Sequence, residues 1–426
     1  MLNEFELLDE ITSLDWKPEV GNFAGTIAYL TGATMETLID IKRRRQWTNI
    51  EKIIKSAIYK KNYGCGGGRS LWRFKYFTKG LEIKGYSGRP QNACYTTRDE
   101  PLPSHDPNID NAILASYSTT SPEAVKGAKI FAEQGVNTSL ITGTTPKMLE
   151  DKRKKEGWKE SAWEYLKKQK DWKRQVVYLF QKEDEEKEQL AALNTEFEFK
   201  LGPVSIGFAN CIGLYHDIYD VIPGRYEESE AIPLKTISDT IESFYYYIIK
   251  RLVPSFNKNQ DLIYKLIQLI LEANEIRHVS PYLNSIEGKC LEIRLGTLGY
   301  NKREGKSVKA ITSENYGSEG SSDLKPDTLL ILNALEGTEV FANQISREAK
   351  KKKVNNIVYV GDPNSGIAKN ATMIIPIPEM VHRYHGVISL CYPSVGLLYD
   401  GVTSQIKHDL GYTEGKMREE HSQHDL

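Results

Sequence analysis

The run Ala115-Ser116-Tyr117-Ser118-Thr119-Thr120-Ser121 sets a series of hydroxyls immediately before Pro122 and Glu123, where an apolar segment gives way to an amphipathic one. A strand feeding a helix there brings those hydroxyls to free backbone N–H groups and the positive end of the helix dipole. That combination can hold an oxyanion such as phosphate or sulfonate. The same residues serve equally well as a polar loop that caps its helix. A second loop, Tyr63-Gly64-Cys65-Gly66-Gly67-Gly68-Arg69-Ser70, lies between a strand and a helix through Trp72, Phe74 and Phe77. Its consecutive glycines permit positive φ and close approach of backbone to a ligand. The spacing is GxGxxG-like, but the early βαβ unit and ribose-binding acid of a dinucleotide site are missing, and so is the GK[ST] of a Walker A loop.

Two segments repeat one pattern and position these loops: Ala112 to Pro146, and Asp327 to Gly366. Each reads as an apolar strand, a polar loop, an amphipathic helix, a turn and a second apolar strand ending in Gly, which is a βαβ unit with parallel strands and a right-handed crossover. In the first, Thr120 or Ser121 is the N-cap, Pro122 suits the first helical position, and Val125, Ala128, Ile130 and Phe131 form the inward face up to the stop at Gly135. In the second, Glu339, Val340, Ile345 and Ala349 mark the helix. Between them, Lys147 to about Asn194 is charge-rich yet carries Trp158, Trp163, Leu166, Trp172, Val176 and Leu179, the pattern of a solvated helical face with an aromatic packing face. With Phe197 to Arg225 it reads as an insertion, a lid or a dimer arm. Ser238 to Val253 reads as a core helix capped by Ser238 or Asp239.

The chain has 426 residues with 40% hydrophobic content, enough for two domains with real cores. A net charge of -1 gives no general electrostatic reason to bind nucleic acid or an acidic membrane, and acids interleave the Lys/Trp-rich stretch. No apolar run reaches the ~18 residues of a membrane span, and the acidic start MLNEFELLDE has no signal-peptide character, so a cytoplasmic protein is expected. Cys65, Cys94, Cys211, Cys290 and Cys391 contain no CxxC pair, and His382/His385 and His421/His424 have no accompanying carboxylate motif. Neither a disulfide framework nor a metal is expected.

The two loops, in this order and spacing, resemble the glycine loop and the S-x-S-x-x-[ST] phosphate loop of the SIS (sugar isomerase) domain family. The second repeat resembles a second SIS domain, as in the isomerase half of glucosamine-6-phosphate synthase, in fructoselysine-6-phosphate deglycases and in SIS-type sulfoquinovose isomerases. Glu230 to Thr236 (EAIPLKT), Tyr282 to Gly288 (YLNSIEG), Tyr392-Pro393 and Leu397-Leu398-Tyr399 are similar to the family's crossover, second-domain helix start and last helix, so the likeness spans most of residues 45 to 420. The resemblance implies an α/β protein of two tandem SIS domains, each a parallel sheet flanked by helices in a flavodoxin/Rossmann-like three-layer arrangement, with a helical insertion. The expected boundaries are an N-terminal helical segment 1–44, a first domain 45–237 including a charged insertion at about 147–229, a second domain 238–400 and a tail 401–426.

By the same resemblance Gly66, Gly68, Ser116, Ser118 and Ser121 hold the substrate's anion. Catalysis falls to a glutamate on the helix starting near Ser285, a ring-opening histidine on a following loop and a tail lysine. Ungapped matching from Glu287-Gly288 puts Arg294 at the base position, and a two-residue shift puts Glu292 there, with Glu319 or Glu314 as fallback. The loop Ser313 to Glu319 has no histidine, so His382, His385 or His408 would replace it, and Lys416 stands near the tail-lysine position. Moving a carbonyl between C1 and C2 needs a base and an acid or cation at the enediolate oxygen. The expected function is a metal-free, cofactor-free aldose–ketose isomerase of a hexose with an anionic C6 group, working as a homodimer with sites near the subunit interface. Tyr117, Thr119 and Thr120 replace customary anion-loop residues, and Arg69 and Arg89 offer forked hydrogen bonds, so 6-sulfonate (sulfoquinovose) stands beside 6-phosphate. A fructosamine-6-phosphate deglycase and a non-catalytic sugar-phosphate sensor are the alternatives.

Overall fold

The computed structural model describes residues 22–28, 30–31, 48–49, 52–53, 56, 60–66, 93–94, 106–108, 110–116, 119–142, 146–156, 160–170, 172–178, 245–280, 284–302, 305–311, 324–334, 340–378 and 391–412. The chain divides into two units. One comprises residues 33–195 with 203–242, the other 1–32 with 196–202 and 243–426.

The first unit is built on a parallel sheet of β1 (Lys61–Cys65), β2 (Ala93–Cys94), β3 (Asp110–Ala115), β4 (Asn137–Thr142) and β5 (Val176–Tyr178), in the order β2-β1-β3-β4-β5. Helix α1 (Pro122–Glu133) carries the chain from β3 to β4 as the sequence pattern requires, with Pro122 opening it, Glu123 in its first turn and Gly135 at φ 74 reversing the chain. Its Ala124, Gly127, Ala128 and Phe131 are buried, and Ala128 and Phe131 share a core with Tyr63, Cys65, Ala112 and Leu114. Each large apolar side chain so buried contributes on the order of 1.5–3 kcal/mol. Gly127 lets the helix sit close to the sheet: a Cβ there would lie 2.8 Å from Cys65 Sγ. At the opposite, amino-terminal end of the strands an asparagine ladder ties β1, β3 and β4 together. Asn111 Nδ2 donates to Asn62 Oδ1 at 2.9 Å and Asn137 Nδ2 donates to Asn111 Oδ1 at 2.6 Å.

The charged stretch that follows β4 does more than cover the surface. After α2 (Pro146–Glu156), the short helix α3 (Trp163–Leu166) buries Trp163 and Leu166 in the first core, and Trp172 packs edge-on against Trp163 at 5.6 Å. Val176–Tyr178 then adds the edge strand beside β4. The start of the expected insertion is thus part of the sheet. Residues 179–229 lie outside the described residues.

In the second unit, helix α4 (Val253–Lys258) follows a π-helical stretch, Tyr245–Leu252, and precedes α5 (Gln260–Glu272). The expected core helix is therefore present from Tyr245, with Tyr247, Ile248, Ile249 and Leu252 buried, and its cap at Ser238 or Asp239 lies outside the described residues. Then come β6 (Glu275–Val279), α6 (Asn284–Thr297), β7 (Ser307–Ile311), β8 (Leu329–Asn333), α7 (Val340–Lys351), β9 (Asn356–Gly361), β10 (Met373–Pro376) and α8 (Cys391–Asp409). All five strands are parallel, in the order β10-β9-β8-β6-β7. Read from its other edge this is the permutation of the first sheet, so the two units are a structural repeat.

Helix α7 covers one sheet face, where Ala342, Ile345 and Ala349 meet Leu330, Leu332, Ile357 and Tyr359. On α8 every residue from Ser394 to Lys407 is buried, and it packs against α5 and α6. Helical residues 23–28 and 30–31 lie on α8 too: the Phe23 N–H donates to Gln405 Oε1 at 2.9 Å, and Gly401 leaves room for the Phe23 ring. The N-terminal segment to residue 32 thus belongs with the second unit.

Candidate functional site

In an open parallel sheet of this order the chain leaves β1 and β3 in opposite directions. Their carboxyl ends flank the crevice in which ligands of such folds bind. Gly66 and Ser116 stand at those two ends, one residue beyond Cys65 and two beyond Leu114 in the last pairing of the strands, and both are buried. Ser116 is anchored by its N–H donating to Ile141 O at 3.1 Å. Its Oγ accepts the Thr119 N–H at 3.1 Å and lies 3.2 Å from Ser121 Oγ, the residue before Pro122. The loop thus folds back on itself and sets Ser116, Thr120 and Ser121 around the start of α1. Ser121 is the N-cap by backbone position, but its hydroxyl makes no capping bond to the helix. The cap-only reading of this loop therefore loses its main support.

Thr119 carries the strain of the turn. It is fully buried with φ 62, a left-handed conformation that a β-branched residue adopts at a cost of ~1–3 kcal/mol. Two hydrogen bonds hold it there: its N–H to Ser116 and its carbonyl, which accepts the Ala162 N–H at 2.9 Å. The residues around Ala162 and Trp163 therefore also clamp the loop, and nothing in the sequence pattern announced this. Of the other residues expected here, Gly68, Arg69, Tyr117 and Ser118 lie outside the described residues.

The equivalent place in the second unit is built differently. Val279 pairs with Leu332 as Cys65 pairs with Leu114, so Ser280 stands in the position of Gly66 and Ala334 in that of Ser116. His278, two residues back, is fully buried. Its Nδ1 lies 2.6 Å from Ser280 Oγ and its Nε2 2.7 Å from the Tyr399 hydroxyl on α8. Burial holds the imidazole down at about 3, so it is neutral, and a neutral ring donates at one nitrogen and accepts at the other. The two hydroxyls therefore take opposite roles. Burial first, then the nearby Glu287 carboxylate, raises the Tyr399 phenol well above its ordinary value. Two glycines make the space: a Cβ on Gly288 would lie 2.3 Å from His278 Nδ1, and one on Gly396 would lie 2.4 Å from Glu287 Oε2. Sequence reading treated Glu287 and Tyr399 only as landmarks and missed His278. A histidine alternating with Ile276 and Ser280 along a short strand was the available signal.

Glu292 and Arg294 both sit on α6. Glu292 Oε2 accepts from Lys289 Nζ at 2.8 Å and from the Ala310 N–H of edge strand β7 at 3.1 Å. Arg294 forms an ion pair with Asp400 and donates to Thr403 Oγ1 at 2.9 Å, with Arg294 10% and Asp400 2% exposed. This pair fastens α6 to α8. His408 is exposed near Asp409, while Glu314, Glu319, His382, His385 and Lys416 lie outside the described residues. Among the described residues no three His, Cys, Asp or Glu side chains converge as a metal site requires, and no helix is long and apolar enough to cross a membrane.

No protein-family model matches the chain, and no curated protein matches it in sequence. Solved structures do. The tagatose-6-phosphate ketose/aldose isomerase from Escherichia coli superposes with a TM-score of 0.61 at 12% identity, over 93% of this chain and 95% of that one. The C-terminal domain of glucosamine-fructose-6-phosphate aminotransferase from Francisella tularensis superposes with a TM-score of 0.55 at 9% identity, over 90% of this chain and 96% of that one. Two parallel sheets of one strand order, each flanked by helices, with a hydroxyl loop at the first switch point, give this chain the tandem SIS fold shared by these structures.

Proposed function

We propose that the loop Ser116 to Ser121 binds the anionic group of a small sugar, and that the chain is an aldose–ketose isomerase. Its substrate in this reading is a hexose with a phosphate or sulfonate at C6, converted through an enediolate. The observation that carries it is the buried left-handed Thr119, which holds three hydroxyl residues at a helix start where helix capping does not require them. The structure from Escherichia coli that shares the fold, named as a tagatose-6-phosphate ketose/aldose isomerase, supports this reading. Glu292 is the proposed base and Lys416 the proposed electrophile, with Glu319 and His385 as further candidates for proton transfer at the ring oxygen or the carbon.

One observation favours a second reading, a sugar-phosphate sensor. Glu292 is engaged by Lys289 and the Ala310 N–H, and Arg294, at the position that ungapped matching gives the base, is locked to Asp400. The test is NMR in heavy water with glucose 6-phosphate, mannose 6-phosphate, sulfoquinovose and fructoselysine 6-phosphate. Ketose formation with deuterium at C2 establishes the isomerase and names the anion, and amine release makes it a deglycase. Saturable binding without turnover makes it a sensor. If none of the four binds, the anion-site reading fails. Glu292→Gln must lower kcat at least ~100-fold if Glu292 is the base.

A further inference from the structure

The second switch point holds a polar group that the fold leaves unanswered. Asn333, the last residue of β8, is fully buried, and neither its carboxamide oxygen nor its nitrogen has a hydrogen-bond partner among the described residues. A buried carboxamide with all its capacity unmet is a costly feature in a native interior, and it points to something bound there. Strand alternation fixes its surroundings. Leu330, Leu332 and Ala334 face the α7 core together with Val279, so Asn333, His278 and Ser280 lie on the other face, toward α6 and α8. The pairing of Val279 with Leu332 places Ser280 beside Asn333 one step further on, about 4.8 Å away between backbones.

We infer that Asn333 and Ser280 form a closed binding site for a neutral hydroxyl oxygen, one that donates and accepts hydrogen bonds at once. The neighbouring groups choose this chemistry. A carboxamide needs both a donor and an acceptor, the imidazole beside Ser280 is uncharged, and the fully buried Glu287 is close enough to Tyr399 to act on its titration. An anion would find no positive charge in Asn333, Ser280 or the neutral His278. In place of Ser118 and Ser121 the sequence here carries Glu336 and Glu339, so the anion-loop chemistry of the first repeat is absent. Ordered water and the hydroxyl of a polyol share the required chemistry, and buried waters of this kind typically make about three hydrogen bonds to such groups. The site is independent of the activity proposed above.

Asn333→Leu decides it, with Asn333→Ala as the smaller variant should Leu overpack the site. A bound oxygen makes both variants less stable, with Tm lower by about 3 °C or more, because its other partners lose a hydrogen bond. A crystal structure of the unaltered protein then shows an oxygen within hydrogen-bonding distance of the Asn333 carboxamide and Ser280 Oγ. If either variant matches or exceeds the parent in Tm and the crystal shows no such density, the inference is overturned. Titration with glucitol separates the sources: a saturable Tm rise that both variants lose identifies a polyol, and its absence with density present identifies water.

Discussion

The two switch points share backbone register but place their polar atoms on opposite sides of the sheet. At the first, Gly64, Gly66 and Ala115 are small, and the hydroxyls begin at Ser116 on the loop entering α1. At the second, the equivalent positions hold His278, Ser280 and Asn333, while the sequence onward from Ala334 reads Leu335, Glu336, Gly337, Thr338 and Glu339. The first repeat keeps its strand ends bare and presents polarity at the crevice. The second buries polarity between sheet and helices, where it locks α6 and α8 onto β6. Duplicated scaffolds diverge this way because a strand's side chains alternate faces, so changing the residue types at a few strand-end positions moves the chemistry from one face to the other. Position 119 shows the cost. The second repeat has Gly337 there, for which a left-handed turn is free, and the first has Thr119 at φ 62.

The comparison breaks most visibly at the α6–α8 clasp. Asp400→Ala strands the Arg294 guanidinium in the interior and should destabilise the protein by about 3–5 kcal/mol in denaturant unfolding, whereas Arg294→Met with Asp400→Leu recovers most of that loss. No comparable penalty should attend any one residue of the first loop. There the main effect is on binding: Ser116→Ala with Ser121→Ala should weaken an anionic sugar about 10- to 100-fold by calorimetry, with a stability loss of about 1–3 kcal/mol because the buried Thr119 N–H loses its acceptor, and Ala334→Ser should create no second anion site.

Titration sharpens the contrast. His278 is held at about 3 in the folded chain against about 6.5 unfolded. The unfolded state therefore binds the extra proton, and the histidine's effect on stability is constant above about pH 7. Stability then falls as pH drops from about 6.5 toward 3, with a slope approaching about 1.4 kcal/mol per pH unit. His278→Gln should remove that part of the slope in urea unfolding, and a profile that His278→Gln leaves unchanged would sink the neutral-histidine account. The smallest effect belongs to Thr119→Gly, which should release backbone strain and raise stability by up to ~1 kcal/mol while weakening anion binding, because the loop is then less tightly held.

Much of the repeat is legible in residues near one another in the chain. Pro122, the Ala124/Ala128/Phe131 spacing and Gly135 mark α1, and the apolar runs at residues 329–333 and 356–361 mark the second unit's central strands. Strand β5 was not legible, because three residues inside a charge-rich stretch carry no period and only pairing with β4 makes them a strand. Glu292 illustrates the same limit at the site. Its sequence neighbour Lys289 was foreseeable at helical spacing, but its bond to Ala310 depends on where β7 falls.

What the sequence determined by itself, then, was the pair of βαβ units and the hydroxyl loop before α1, since strand alternation, helix period and capping are short-range consequences of residue type. Only the tertiary structure decided that Thr119 is held left-handed with help from Ala162, that His278 meets a tyrosine 121 residues away, and that Asn333 is buried without a hydrogen-bond partner among the described residues. Those outcomes depend on which distant groups share one small desolvated volume. A hydrogen bond or its absence acquires its energy only once water has been excluded from that volume.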